Sequence, residues 1–200
     1  ERGGEMQIYD FGQNFSGVVK ITVHGRKGQK VIIRHGETLK KDGSLYTENL
    51  RSAKQQIIYI CRGDETETYI PRFTYMGFRY IEVSGIRAEN IHITACAVYS
   101  GLIENGMFAC SEDRINRLQS NILWSGRSNF VDIPTDCPQR DERQGWTGDI
   151  ALFVNTALYL FDMDRFLKKW LRDLKFEQSA LGALPFVVPE RPGVTPKITT

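Results

Sequence analysis

The spacing of apolar residues changes once along this chain, near Gly101, and that change limits what the chain can fold into. Before it, from Met6 to about Tyr99, short segments alternate apolar and polar residues between turn signals, as half-buried antiparallel strands do. Val19, Ile21 and Val23 alternate with Lys20, Thr22 and His24, and Gly25-Arg-Lys-Gly28 then leads into Val31-Ile-Ile33, which predicts a hairpin. Asp42-Gly43 predicts a second tight turn, and further strands are expected at residues 56–60, 67–70, 78–83 and 91–98. Seven or so short strands in about 95 residues fit a β-sandwich, because two sheets can each bury one face against the other. Phe73, Tyr75, Phe78 and Tyr80 suit such a core or an interface with helices.

After Gly101 the period is helical. Ser111 can cap a first helix with Glu112 and Asp113 in its opening turn, favourable against the helix dipole, and Ile115, Leu118 and Ile122 recur on one face. Thr147 can cap a second, in which Ile150, Phe153, Val154, Ala157, Leu158 and Phe161 leave little polar face, so that it must be buried among other helices. A third begins near Asp162, carries Phe166, Leu167, Trp170, Leu171 and Leu174 on its apolar side, and ends before Gly182. Three helices are too few to wrap the middle one. The expected organisation is an antiparallel β-sandwich over residues 1–100 and the opening helices of a larger helical domain over 101–200.

Several function classes are disfavoured. Lys and Arg total 26 against 24 Asp and Glu, and no block of like charge marks an arm for nucleic acid or a membrane, so the partner is expected to be small or neutral. Cys61, Cys96, Cys110 and Cys137 contain no CxxC pair, which points to free thiols and away from a zinc knuckle or a disulfide framework. Glu1-Arg-Gly-Gly4 is not a signal peptide, and Pro185, Pro189, Pro192 and Pro196 punctuate a segment with no closing helix or strand. The chain therefore reads as an interior piece of something longer. His24, His35 and His92 fall in expected strands without metal-ligand spacing, and Trp124 and Trp170 sit near apolar helical stripes where core packing is the ordinary role.

The chemistry concentrates between the first two helices. Residues 129–149 carry five carboxylates, with Pro134 and Pro138 to stiffen the stretch and Gly145 and Gly148 to permit close backbone approach. Crowded carboxylates disfavour mutual ionisation, so one can stay protonated and donate a proton, as glycoside cleavage requires. Arg140 and Arg143 oppose that shift, and the residues alone leave open which carboxyl is the donor. Trp146 is as suited to packing as to offering a flat face to a sugar ring. Cys137 has no neighbouring His to activate it and is followed by Pro138, so it is read as a structural thiol.

The stretch Asp136-Cys-Pro-Gln-Arg-Asp-Glu-Arg-Gln-Gly-Trp-Thr-Gly-Asp149 closely resembles the signature of the bacterial and fungal α-L-rhamnosidases of glycoside hydrolase family 78. Asp10-Phe-Gly-Gln-Asn-Phe15, Asp42-Gly-Ser-Leu-Tyr-Thr-Glu-Asn-Leu-Arg-Ser-Ala53 and Pro71-Arg-Phe-Thr-Tyr-Met-Gly-Phe-Arg-Tyr80 are similar to the β domain that precedes that family's catalytic barrel. The resemblance implies an (α/α)6 barrel whose first helices follow Ser111, and hydrolysis with inversion of terminal α-L-rhamnosyl groups from a glycoside or polysaccharide. It implies no metal or organic cofactor. Carried onto this motif, Glu142 resembles the general acid, and Asp136, Arg140, Trp146 and Asp149 resemble rhamnose-binding residues; Asp141 and Arg143 are motif members with no role assigned.

One departure is Gln144, where the family pattern more often has Leu. The other is the second carboxylate that an inverting enzyme needs to activate water, which in the family lies far downstream and is not expected within these residues. The isolated chain is thus expected to hydrolyse little. An alternative from another class is a non-catalytic carbohydrate-binding module whose acidic loop merely contacts sugar.

Overall fold

The computed structural model describes residues 6–190, so the expectations placed on Glu1 to Gly4, Pro192 and Pro196 lie outside the described residues. The chain forms two compact units. One holds the residues up to Val98 together with Pro138–Asp141, and the other holds Tyr99–Cys137 and the residues from Glu142 onward.

In the first unit the β-sandwich expectation is realised as one curled antiparallel sheet of six strands. These are β1 (Gln7–Val23), β2 (Lys30–Gly36), β3 (Gln56–Ile60), β4 (Glu67–Tyr69), β5 (Met76–Ser84) and β6 (Ile91–Ala97). β1 is long enough to serve the whole sheet. Along one edge it pairs with β5 and then with β4, along the other with β6, and its register to β5 shifts between Asp10 and Phe15. The alternation seen in the sequence faces Val19, Ile21 and Val23 inward, where they meet a core that includes Val31, Ile33, Phe78, Ile81 and Val83.

The hairpin expected at Gly25 to Gly28 does not form. Both edges of β1 are already taken, so β2 pairs with β5 and β3 instead. The connecting segment is held at other points: His24 N–H donates to Asn90 O at 2.9 Å and Gly28 N–H to Cys61 O at 2.8 Å. The turn at Asp42-Gly43 is present, closed by Gly43 N–H to Lys40 O at 3.0 Å. Of the four aromatics, Phe78 is buried, whereas Phe73 is fully exposed in the turn before β5, where no strand neighbour covers it.

The buried polar groups of this sheet include His35 and Glu67. His35 is enclosed in β2, with Nδ1 2.9 Å from Gln55 O and its ring edge-on to Phe78, and burial pushes its pKa down to about 4. Glu67 accepts hydrogen bonds from Arg62 N–H, Tyr59 O–H and Gly63 N–H, which draw its pKa down to about 2.

The second unit contains α1 (Asp113–Asn129), the two-residue strands β7 (Phe130–Val131) and β8 (Ile133–Pro134), α2 (Thr147–Leu160) and α3 (Asp164–Glu177). The caps differ from those expected. Glu112, not Ser111, precedes α1 and accepts from Arg114 N–H, because its longer side chain folds back onto the first turn. Trp146 precedes α2, while the Thr147 hydroxyl donates to the carbonyls of Pro185 and Phe186. Phe130, Ile150, Ala157, Phe161, Met163, Phe166, Trp170 and Val188 form the core, which accounts for Trp170 as a packing residue.

Burial on the helices is incomplete among the described residues. Ile115 and Leu118 on α1 are 47% and 56% exposed, so the apolar face read from their spacing is not the one that packs. On α2, Leu152 and Tyr159 are 89% and 85% exposed among the described residues, where the apolar composition of the helix led to an expectation of burial.

Candidate active site

The acidic loop leaves α1 by doubling back. β7 and β8 pair across Asp132, which has a left-handed φ of 66° and whose carboxylate lies 3.1 Å from Lys169 Nζ on α3. Thr135 then ties the chain to the end of α1, its N–H and hydroxyl donating to Asn129 O at 2.7 and 3.1 Å. Asp136 and Gln144 close the next stretch. Gln144 N–H donates to Asp136 Oδ1 at 3.0 Å and Asp136 N–H to Gln144 O at 3.3 Å.

Past Gln144 the backbone is pinned to the segment before Pro189. Val188 N–H donates to Gly145 O at 2.9 Å, and a side chain at Gly145 would strike the Val188 carbonyl oxygen. Gly145 is therefore a close-approach glycine, as its sequence indicates. Gly148 is not, having no atom within 4 Å of where a side chain would begin, since it lies in the open first turn of α2. Trp146 is half-buried with its indole N–H enclosed, so only its ring could meet a ligand.

A cavity of about 470 Å³ opens between α1, α2 and the loop. Asp136 and Asp149 line it beside Asn129 and Thr135, over an apolar floor of Phe130, Ile150 and Phe153. Asp149 sits in the first turn of α2. Glu142, Arg140 and Trp146 are not among the lining residues, so of the five residues singled out from the sequence this cavity unites two. Glu142, Arg140 and Asp136 are half-buried.

Asp141, which precedes Glu142, is held by the first unit's Ser52. Asp141 Oδ2 accepts a close hydrogen bond from the Ser52 hydroxyl and a second from Ser52 N–H at 3.2 Å. Those bonds, with the Arg51 charge nearby, hold its pKa below the usual carboxylate range. An anion so engaged is a poor proton donor. The sequence left open which carboxyl donates, and this geometry sets Asp141 aside.

Three contributors carried no signal in the sequence. Asn129 and Thr135 look like ordinary linker residues until the chain doubles back, and Ser52 stands 89 positions before its partner in a different motif.

The comparisons with known proteins agree along the chain. Residues 1–99 match the bacterial alpha-L-rhamnosidase concanavalin-like domain, and residues 104–200 match the bacterial alpha-L-rhamnosidase 6 hairpin glycosidase domain. An alpha-L-rhamnosidase of Formosa agariphila is 43% identical over 92% of this chain and 20% of its own length. One of Streptomyces avermitilis is 44% identical over 91% of this chain and 18% of its own. The crystal structure of a Streptomyces avermitilis alpha-L-rhamnosidase complexed with L-rhamnose superposes with a TM-score of 0.90 at 42% identity, over 95% of this chain and 19% of that one. The chain thus spans about a fifth of the length of these relatives. With both halves matched in order, the chain belongs to the bacterial α-L-rhamnosidase family, glycoside hydrolase family 78.

Proposed function

We propose that this chain is the segment of an inverting α-L-rhamnosidase that supplies the proton donor and part of the sugar pocket, acting on terminal non-reducing α-L-rhamnose of glycosides or polysaccharides. The observation that carries the reading is the cavity lined by Asp136 and Asp149, whose volume of about 470 Å³ falls in the range of small-molecule sites. The rhamnose-bound relative adds support, since this chain superposes on it closely. The glycosidase-domain match over residues 104–200 favours an enzyme over a carbohydrate-binding module.

In this reading Glu142 protonates the leaving oxygen as positive charge grows on the sugar ring. Asp136 and Asp149 accept hydrogen bonds from ring hydroxyls, Arg140 donates to them, and the Trp146 ring packs on an apolar sugar face. A second carboxylate beyond these residues activates water on the opposite face, which inverts the anomeric carbon. Without that base the isolated chain turns over little or no substrate.

Glu142→Gln in the full-length protein tests the assignment. The amide keeps the shape but cannot donate a proton, so turnover falls about 10²-fold or more while rhamnose affinity is retained. Near-normal turnover would remove Glu142 as the acid. Robust p-nitrophenol release from an aryl α-L-rhamnoside by the 200-residue chain alone would refute the division of the site.

A further inference from the structure

Ser52 turns both of its donors onto one oxygen of Asp141. The segment that presents it is strained: Arg51 and Gln55, neither of them glycine, have left-handed φ values of 55° and 47°. Such backbone is unfavourable and persists only where its surroundings hold it, often at functional positions. Gln55 is held in turn, its Oε1 accepting from Gly77 N–H at 3.2 Å. Gly77 of β5 is also the seat of the loop, because a side chain there would meet Gln139 Cβ at 2.8 Å and the Pro138 carbonyl carbon at 2.9 Å.

The residues leading to Glu142 are thereby fixed at two points of the first unit, Pro138 and Gln139 on Gly77 and Asp141 on Ser52. Glu142 is the next residue, its Cα about 3.8 Å from that of Asp141. The turn also buries Leu50 and brings the Gln55 carbonyl to His35, but neither contact needs the exposed hydrogen bonds from Ser52, which by themselves add little to stability. Placement of a proton donor accounts for them better, since an error of about 1 Å at a reacting group can cost about 10²-fold in rate.

We propose that Ser52, through its paired hydrogen bonds to Asp141, is a positioning residue for Glu142, the next residue in the chain and the one that protonates the leaving group. The inference rests on Glu142 being the general acid. It makes a demand that a merely structural role does not. Misplacing the acid slows departure of a poor leaving group, which needs its proton, and spares a good one, which does not.

The test compares Ser52→Ala, Ser52→Thr and Glu142→Gln in the full-length enzyme on two substrates, an alkyl α-L-rhamnoside and the 2,4-dinitrophenyl α-L-rhamnoside. Ser52→Ala is expected to lower kcat on the alkyl glycoside about tenfold or more, with KM and the dinitrophenyl rate within about twofold. Ser52→Thr, which keeps the hydroxyl, restores the alkyl rate. Should Ser52→Ala fail to fold, Asp141→Asn weakens the same contact from the other side and is read the same way. Equal loss on both substrates, or no loss on either, overturns the proposal while Glu142→Gln still shows the selective loss. If Glu142→Gln itself shows no leaving-group selectivity, the acid assignment falls and takes the positioning role with it.

Discussion

Gly77→Ala is a one-methyl test of how tightly the acidic loop is seated. The new Cβ would lie 2.8 Å from Gln139 Cβ, 2.9 Å from Gln139 N and 2.9 Å from the Pro138 carbonyl carbon. Ordinary non-bonded carbon contacts are about 3.5–4.0 Å, so the loop has to retreat by about 0.7 Å or more. Two of the three atoms are backbone, which no rotamer change can move. Overpacking of this kind costs about 1–3 kcal/mol, read as a lower melting temperature. Because the displaced residues lead directly into Glu142, a shift approaching 1 Å should lower kcat by roughly 10- to 100-fold. The assay is steady-state hydrolysis of an alkyl α-L-rhamnoside, whose leaving group needs the proton, by the full-length enzyme, read beside a thermal melt. Gly101→Ala serves as control, since nothing lies within 4 Å of its added carbon. A Gly77→Ala enzyme with unchanged kcat and melting temperature would refute the seating argument.

Two further predictions concern buried polar groups. His35 titrates near 4 in the fold and near ~6.5 when unfolded, so the folded state binds fewer protons between those values and its stability declines by roughly 3 kcal/mol as pH falls from about 6.5 through 4. Glu67, drawn down to about 2, adds a second decline that begins near pH 4.5 and completes near 2. Urea unfolding across pH checks both: His35→Gln should lose the first slope, and Glu67→Gln should be least stable relative to wild type above pH 4.5 and converge with it near pH 2. Gln144 Oε1 is buried without a hydrogen-bond partner among the described residues, so Gln144→Leu should raise stability by about 1 kcal/mol, measured as a higher melting temperature.

What could be read from the sequence follows from the range over which each signal acts. Strand alternation and helix periodicity are local, so β3 at Gln56–Ile60 and the inward set Val19, Ile21 and Val23 were legible at once. Pairing is not local. The Gly25 to Gly28 turn looks like a hairpin, and only the occupation of both β1 edges by β5, β4 and β6 explains why β2 goes elsewhere. The cap residues show the same limit, since Thr147 was well suited to capping α2 until the Pro185 and Phe186 carbonyls claimed its hydroxyl. The signature from Asp136 to Asp149 named the acid-rich loop, but nothing in it says that Pro138–Asp141 pack with the β strands.

That packing bears on how two neighbouring carboxylates can do different work. Ser52 hydrogen-bonds the anion of Asp141, which commits that side chain to anchoring and to a charge. In the proposed function Glu142 is the member of the pair that donates the proton. The turn that presents Ser52 to that anion is bracketed by Arg51 and Gln55, both with positive φ. Under the positioning proposal, a parent enzyme lacking residues 1–98 should lose activity on alkyl α-L-rhamnosides, and unchanged activity on them would count against it.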